Sequence, residues 1–311
     1  MTLIRKPYEL DVQMKLKCLI YGQAGAGKTS VALSAPKPLL LDFDGGVHRV
    51  HYGHQTDTVQ IRSWKDCEDV LSEDLSPYES IVIDTGGKLL DFMSEHIVAK
   101  NPKLGKLNGA LTLPGFGERK GLFRQFCKRI MMMQKHLIFV AHRDAQKNNE
   151  EIRYVPLFGG SSYDDLVTDL DLVGYLETVG RKRTVTFDPT DRNDGKNTCN
   201  LPSAMELPVI VDAAGHALPN SFLQKSVIEP YIANLQNRID AGKKYVEVIA
   251  ELKDSIALIT DDISANDFIR RIDKFGHAGN SKAVAGLLLN AKAKELKLKF
   301  DKEKKVYERA S

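Results

Sequence analysis

Long apolar runs are missing from this sequence: none approaches the roughly 20 residues that a membrane span needs. The opening MTLIRKPYELDVQMKLK also lacks the continuous apolar stretch of a secretory leader. Cysteine is scarce, with four in 311 residues (Cys18, Cys67, Cys127, Cys199), and no two form a C-x-x-C pair. That spacing argues against both a cysteine zinc site and a disulfide framework, and it fits a reducing compartment. A cytoplasmic protein is expected. An excess of one charge is lacking too: 44 Lys and Arg against 41 Asp and Glu leave a net +3, so any basic surface must be local. Internal repeats and low-complexity tracts are absent.

What is present is an alternation. Over the first two thirds, short apolar runs (KCLIYG, PLLLDFD, TVQIR, ESIVIDT, HLIFVAH) alternate with amphipathic stretches such as SWKDCEDVLSEDL and GERKGLFRQFCKRIMMMQ. This is the pattern of an α/β fold, a mostly parallel sheet covered by helices. RDAQKNNEEIR reads as a polar loop, SSYDDLVTDL as a helix, and DLVGYLETV and KRTVTFD as two further strands. TDRNDGKNTCNLPSAMELP reads as a loop or edge segment. Beyond about 220 the texture is helical, through SFLQKSVIEPYIANLQNRI, KKYVEVIAELKDSIALI, NDFIRRIDKF and SKAVAGLLLNAKAKELKLKFDKEKKVYE. The expected organisation is a core over 1–220 and a helical C-terminal extension over 221–311.

Between KCLIY and VALSA stands GQAGAGKTS: Gly22, Gln23, Ala24, Gly25, Ala26, Gly27, Lys28, Thr29, Ser30. Three glycines, a lysine and two hydroxyls between a strand and a helix match G-x-x-x-x-G-K-[ST]. Glycines let the backbone curl so that successive N–H groups face phosphate oxygens. The following helix adds its N-terminal amides and dipole. Lys28 would reach the β- and γ-phosphates, and the Thr29 hydroxyl would ligate Mg²⁺. A nucleoside triphosphate is the expected ligand, and the absence of an N-K-x-D motif favours ATP over GTP.

Magnesium also needs a carboxylate at the end of a neighbouring buried strand. SIVIDT supplies Asp84 after three β-branched residues, 55 residues beyond Thr29. An acid-ended strand, LLLDFDGG with Asp42 and Asp44, comes earlier, and HLIFVAHR ends in His142 and Arg143.

GQAGAGKTS, LLLDFDGG, SIVIDT, FVAHR and LDLVGYLE, in this order, resemble the RecA-like ATPases, most of all the phage-encoded RecA-like proteins often labelled phage nucleotide-binding proteins. Some of these act with single-stranded DNA in recombination or strand annealing. The resemblance implies a RecA-like P-loop NTPase core hydrolysing ATP with Mg²⁺, in the host cytoplasm if the chain is phage-encoded. It implies that Asp44 polarises the attacking water, with Asp42 its structural rival, and that His142 senses the γ-phosphate. Contacts to DNA are implied for the loop of roughly 144–160 and for the segment after Asp84. The family's homo-oligomers hold ATP at subunit interfaces, with paired basic residues reaching a neighbour's nucleotide. Here Lys196-Asn197-Thr198 keeps one cation of that pair, so Lys196 is the candidate for a trans contact, and Arg192 is close by.

Residues 97–135 carry nine Lys or Arg against one acid, Glu118, a plausible phosphate footprint. Lys120, Arg124 and Lys128 share one helix face, which also reads as a solvated outer face. Lys100, Lys103 and Lys106 lie in NPKLGKLNGALTLPGFG, whose glycines predict a mobile loop, though Phe116 alone could stack on a base. The basic run over 292–309 reads as a solvated helix, a partner helix or a nucleic-acid-binding tail. His48, His51 and His54 recur every third residue, but Gly53 and the lack of flanking Cys or acids argue against a metal site. Three functions compete at this stage. One is an ATPase acting with single-stranded DNA in phage recombination or replication. Another is a nucleotide-switched assembly protein without DNA, and the third a small-molecule kinase, which the low arginine content of 144–180 disfavours.

Overall fold

The computed structural model describes residues 12, 14–148, 151–158, 167–180 and 182–309. The chain divides into two compact units, Gln13–Ile232 and Ala233–Ser311.

The first unit is built on strands β1 (Lys17–Gly22), β2 (Pro38–Asp42), β3 (Thr58–Gln60), β4 (Ser80–Asp84), β5 (His136–Asn148), β6 (Glu151–Pro156), β7 (Leu172–Val179), β8 (Lys182–Thr186), β9 (Lys196–Asn197) and β10 (Ala204–Glu206). They form one sheet in the order β10-β8-β7-β1-β5-β4-β2-β3, with β6 added to β5 and β9 to β7. The pairs from β7 through β1, β5, β4 and β2 to β3 are parallel. The later pairs β7/β8, β8/β10, β5/β6 and β7/β9 are antiparallel. Parallel strands covered on both faces read as continuous apolar runs. β4 shows why: Ile81, Val82 and Ile83 are all fully buried, at roughly 1.5–3 kcal/mol of burial each.

Helices α1 (Lys28–Ala32), α2 (Trp64–Val70), α3 (Gly86–Lys100) and α4 (Leu113–Met132) follow β1, β3, β4 and the loop after α3. α2 starts in a capping box, Ser63 with Asp66. Thr112 caps α4, with Pro114 in its first turn, where a missing N–H costs nothing. The core joins Leu19, Leu41, Ile83 and Phe139 of the strands to Trp64, Met93 and Phe126 of the helices. The result is a mostly parallel sheet covered by helices, in which β5 lies between the strand of the glycine loop and the strand ending in Asp84.

Several sequence expectations are corrected. RDAQKNNEEIR is not a loop: β5 continues through it and pairs antiparallel with β6, from Arg143 opposite Pro156 to Asn148 opposite Glu151. The ribbon needs no apolar alternation because Asp144 to Lys147 are exposed. TDRNDGKNTCNLPSAMELP, read as a loop or edge segment, does supply an edge: β10 ends the sheet, and β9 pairs with β7. The expected mobile loop after α3 is tied to itself: Lys106 N–H donates to Ala110 O at 2.7 Å and Thr112 N–H to Leu104 O at 2.8 Å. Most of SSYDDLVTDL, and the turn at 159–160, lie outside the described residues.

The first unit extends to Ile232 rather than ending at 220. Phe222, Leu223, Val227 and Ile228 are buried there, and Ser34 Oγ accepts Leu223 N–H at 2.9 Å. Helix α5 (Glu229–Ala257) carries the chain across the boundary. The second unit continues with α6 (Asp262–Arg271), α7 (Ser281–Glu295) and a hairpin of β11 (Leu298–Asp301) and β12 (Val306–Arg309). The last segment is therefore helix and then hairpin, not one helix. Lys297, at φ 56°, leaves the helical region, and LKFD then alternates as a strand.

Candidate nucleotide site

The glycine loop springs from β1, and packing dictates its first glycine. A Cβ on Gly22 would stand 2.1 Å from Leu176 O of the adjoining β7. Gly27, at the N-cap of α1, has φ 91°, a conformation that side chains disfavour. Lys28 follows. Its Nζ donates to Gln23 O at 2.8 Å, curling the loop, and burial pulls its pKa down against the pull of Asp84. Among the described residues no carboxylate pairs with this largely buried ammonium, a group poised for an anion.

Thr29 Oγ1 donates to Asp84 Oδ2 at 2.6 Å. Asp84 is 9% exposed, and burial raises its pKa; the Thr29 hydrogen bond and Lys28 oppose that shift, while Asp42 and Asp44 add to it. The Asp84 carboxylate and the Thr29 hydroxyl thus meet as a pair of oxygen donors of the kind a hard divalent cation takes.

The two acids of LLLDFDGG do different things. Asp42, 2% exposed, accepts the backbone N–H groups of Asp44, Gly46 and Val47 at 3.1–3.2 Å and so shapes the loop that follows. Asp44 stands beyond it, exposed, with Arg49 Nη1 3.5 Å from its Oδ2. A cavity of about 220 Å³ is lined by Gly25, Gly27, Lys28, Thr29, Asp44, Arg49, Asp84 and His142, among others. Burial, then Lys28 and Arg49, push the His142 pKa down against Asp44, which favours the neutral imidazole. These residues come from the C-terminal ends of β1, β2 and β4 and from β5 at His142, where its parallel pairing with β1 ends, the place where ligands of open α/β sheets bind.

A family model described as an AAA domain, AAA_24, matches residues 14–199, more than half of the chain. The chain belongs to the AAA_24 family. Among curated protein sequences none matches it. Solved structures similar to it include the crystal structure of flagellar accessory protein FlaH from Methanocaldococcus jannaschii, at 10% identity and a TM-score of 0.38, covering 67% of this chain and 88% of that one. With the glycine loop of Gly22 to Thr29, the AAA_24 domain is a P-loop domain of the ATPase type.

Other expected residues lie elsewhere in the AAA_24 protein. Lys196 does not line the cavity; its ammonium donates to Val167 O at 2.8 Å and Thr168 O at 3.0 Å. The basic stretch 97–135 is smaller as a surface than as a sequence. Arg119 and Lys135 are buried, and Arg129 donates to Leu71 O at 2.7 Å. Lys135 is held by the carbonyls of Leu75 and Tyr78. Lys100, Lys103, Lys106, Arg124 and Lys128 are exposed, and Lys120 is half-buried. His51 and His54 clamp a later segment, through Gly215 O at 3.0 Å and Leu218 O at 2.8 Å. Among the described residues no group of His, Cys, Asp or Glu forms a metal cluster, and no helix is long and apolar enough to cross a membrane.

Two arginines beside the loop, Arg49 and Arg183, escaped the sequence reading, and a third, Arg143, was named there without a role. Arg49 lines the cavity, and its place five residues after Asp44 was a usable signal. Arg183 on β8 packs on the glycine loop so closely that a Cβ on Gly27 would lie 2.7 Å from its Nη1. Arg143 donates to Gln23 Oε1 at 3.2 Å and to the Tyr175 hydroxyl at 2.7 Å, and stacks 4.0 Å over Tyr154. No local motif marks Arg183, because strand pairing alone brings it there.

Proposed function

We propose that this protein is a magnesium-dependent ATPase acting with single-stranded DNA, in the manner of phage recombination or replication ATPases. One observation carries the enzymatic part: Lys28, Thr29, Asp84, Asp44 and His142 border the same cavity. Gly22 to Ser30 would cradle the phosphates of ATP, and Thr29 with Asp84 would hold Mg²⁺, which supplies charge neutralisation to the triphosphate. Lys28 would balance charge on the β- and γ-phosphates. Asp44 would orient and polarise a water toward the γ-phosphorus, and neutral His142 would hydrogen-bond there without adding charge. The DNA part is supported by exposed Lys100, Lys103 and Lys106, at and just beyond the end of α3, the helix that follows Asp84.

The test is ATP turnover by the full chain, with and without single-stranded DNA and with and without Mg²⁺. Turnover that needs Mg²⁺ and rises with DNA is expected, and Lys28→Ala should abolish it while leaving the fold intact. Magnesium-dependent turnover indifferent to DNA would leave the ATPase and overturn the DNA partner. ATP binding without turnover would favour a nucleotide-switched assembly protein, and phosphate transfer to a small acceptor would favour a kinase.

A further inference from the structure

The basic C-terminal run folds into something more specific than a tail. α6 and α7 are followed at once by the β11–β12 hairpin, the order of helix, helix and wing. The hairpin is fixed to both helices. Asn266 of α6 donates through Nδ2 to Tyr307 O at 2.9 Å and accepts Tyr307 N–H at 2.7 Å, taking the place of a neighbouring strand. The Tyr307 hydroxyl donates to Asn290 Oδ1 of α7 at 2.7 Å. Ala285, Leu289 and Ala293 of α7 are buried in the unit's own core with Phe268 and Leu298.

The opposite stripe of α7 is bare: Ala283, Leu287, Asn290, Ala291 and Lys294 are exposed, at the spacing of one helix face. Asn290 belongs to this stripe and also touches the hairpin, so the hairpin borders it. On that border exposed lysines outnumber the exposed acids, Glu295, Glu303 and Glu308. Among the described residues, Lys294, Lys297, Lys299, Lys302 and Lys305 are exposed and have no carboxylate partner, whereas Lys304 is paired with Asp301 and Glu308. Lys302 and Lys305 stand on the turn between the two strands.

We infer that the second unit binds duplex DNA, with the exposed face of α7 entering the major groove and the β11–β12 turn lying along the phosphate backbone. The dimensions suit it. A helix with its side chains is about 10–12 Å across and the major groove about 12 Å wide. Small side chains at Ala283 and Ala291 allow close approach, and the unpaired lysines of the hairpin supply the phosphate contacts that carry most of the affinity. The charge complementarity is to a polyanion, and the flat helix face selects a B-form duplex. A-form RNA has a deep, narrow major groove that a helix does not enter.

This site is separate from the nucleotide cavity, and its test needs no ATP. Fluorescence anisotropy of the full chain would be read on a mixed-sequence DNA duplex about two helical turns long, on the matching RNA duplex and on the single DNA strand, across a salt series. Two variants probe the surface. Lys299→Ala/Lys302→Ala/Lys305→Ala should weaken duplex DNA binding roughly tenfold or more and flatten the salt slope by up to about three units. Ala283→Glu puts a negative charge on the groove face, in the first turn where an acid favours the helix, so it should cut duplex binding with an unchanged thermal midpoint. Both variants should keep the parent's DNA-independent ATP turnover. Replacing Lys100, Lys103 and Lys106 should leave duplex binding intact. The inference is overturned if the parent fails to bind duplex DNA at low salt or binds the RNA duplex as tightly. It is equally overturned if either variant binds like the parent.

Discussion

Thr29 and Asp84 share a 2.6 Å hydrogen bond although 55 residues of sequence separate them and β5 lies between their strands. The bond is possible because α1 starts from the end of β1 and brings Thr29 over β5 to the C-terminal end of β4. With the burial of Asp84, it holds a carboxylate in a setting that disfavours its charge.

That setting sets function against stability at Asp84. A carboxyl whose pKa is raised on folding binds more protons folded than unfolded. Stability is therefore lost as pH rises from the unfolded pKa through the raised folded one. Asp84→Asn should remove this loss, raising the thermal midpoint of the nucleotide-free protein at pH 7 and changing it little well below pH 4. Magnesium-dependent hydrolysis should fall at the same time. A lower midpoint at pH 7, or an unchanged magnesium titration, would contradict the role given to Asp84.

Asp42 and Asp44 should separate cleanly. Asp44→Asn should keep ATP binding and slow turnover, because an acid that polarises water acts mainly in the transition state. Asp42→Ala should cost about 1–3 kcal/mol in urea unfolding, since it leaves three part-buried N–H groups of the following loop without their acceptor. Reversed phenotypes would move the catalytic role to Asp42.

His136 predicts an acid sensitivity of the first unit. It is 1% exposed, its Nδ1 accepts Leu16 N–H at 3.0 Å, and burial lowers its pKa to about 4. The unfolded chain therefore takes up a proton that the folded one refuses between about pH 6.5 and about pH 4. Stability should fall across that window as pH drops, by on the order of 3 kcal/mol at its end. Urea midpoints of the parent and His136→Asn, compared from pH 7 to 4.5, should converge toward acid. Parallel curves would show that His136 is not the titrating group.

Single-stranded DNA binding, if carried by the loop after α3, should weaken on replacing Lys100, Lys103 and Lys106 together with Ala. The salt slope should flatten by up to about three units. Little sequence preference is expected, since phosphate contacts position a protein without reading bases. ATP binding without DNA should survive. Unaltered affinity at several salt concentrations would place the footprint elsewhere.

The sequence by itself determined the mostly parallel sheet, the glycine loop and the acid-ended strands. Each is a local matter: β-branched runs make buried strands, and a phosphate loop needs its glycines, lysine and hydroxyl within nine consecutive residues. The different environments of Asp42 and Asp44 were beyond it. Two acids two residues apart differ only in that one turns back onto loop amides and the other projects toward Arg49. The hairpin in RDAQKNNEEIR was illegible because a ribbon exposed over Asp144 to Lys147 carries no apolar period there. Equally hidden were Arg183 against Gly27, and Arg119 and Lys135 withdrawn from the basic surface. These depend on which chain segments pack together, and long-range packing, unlike periodicity, leaves no mark on neighbouring residues.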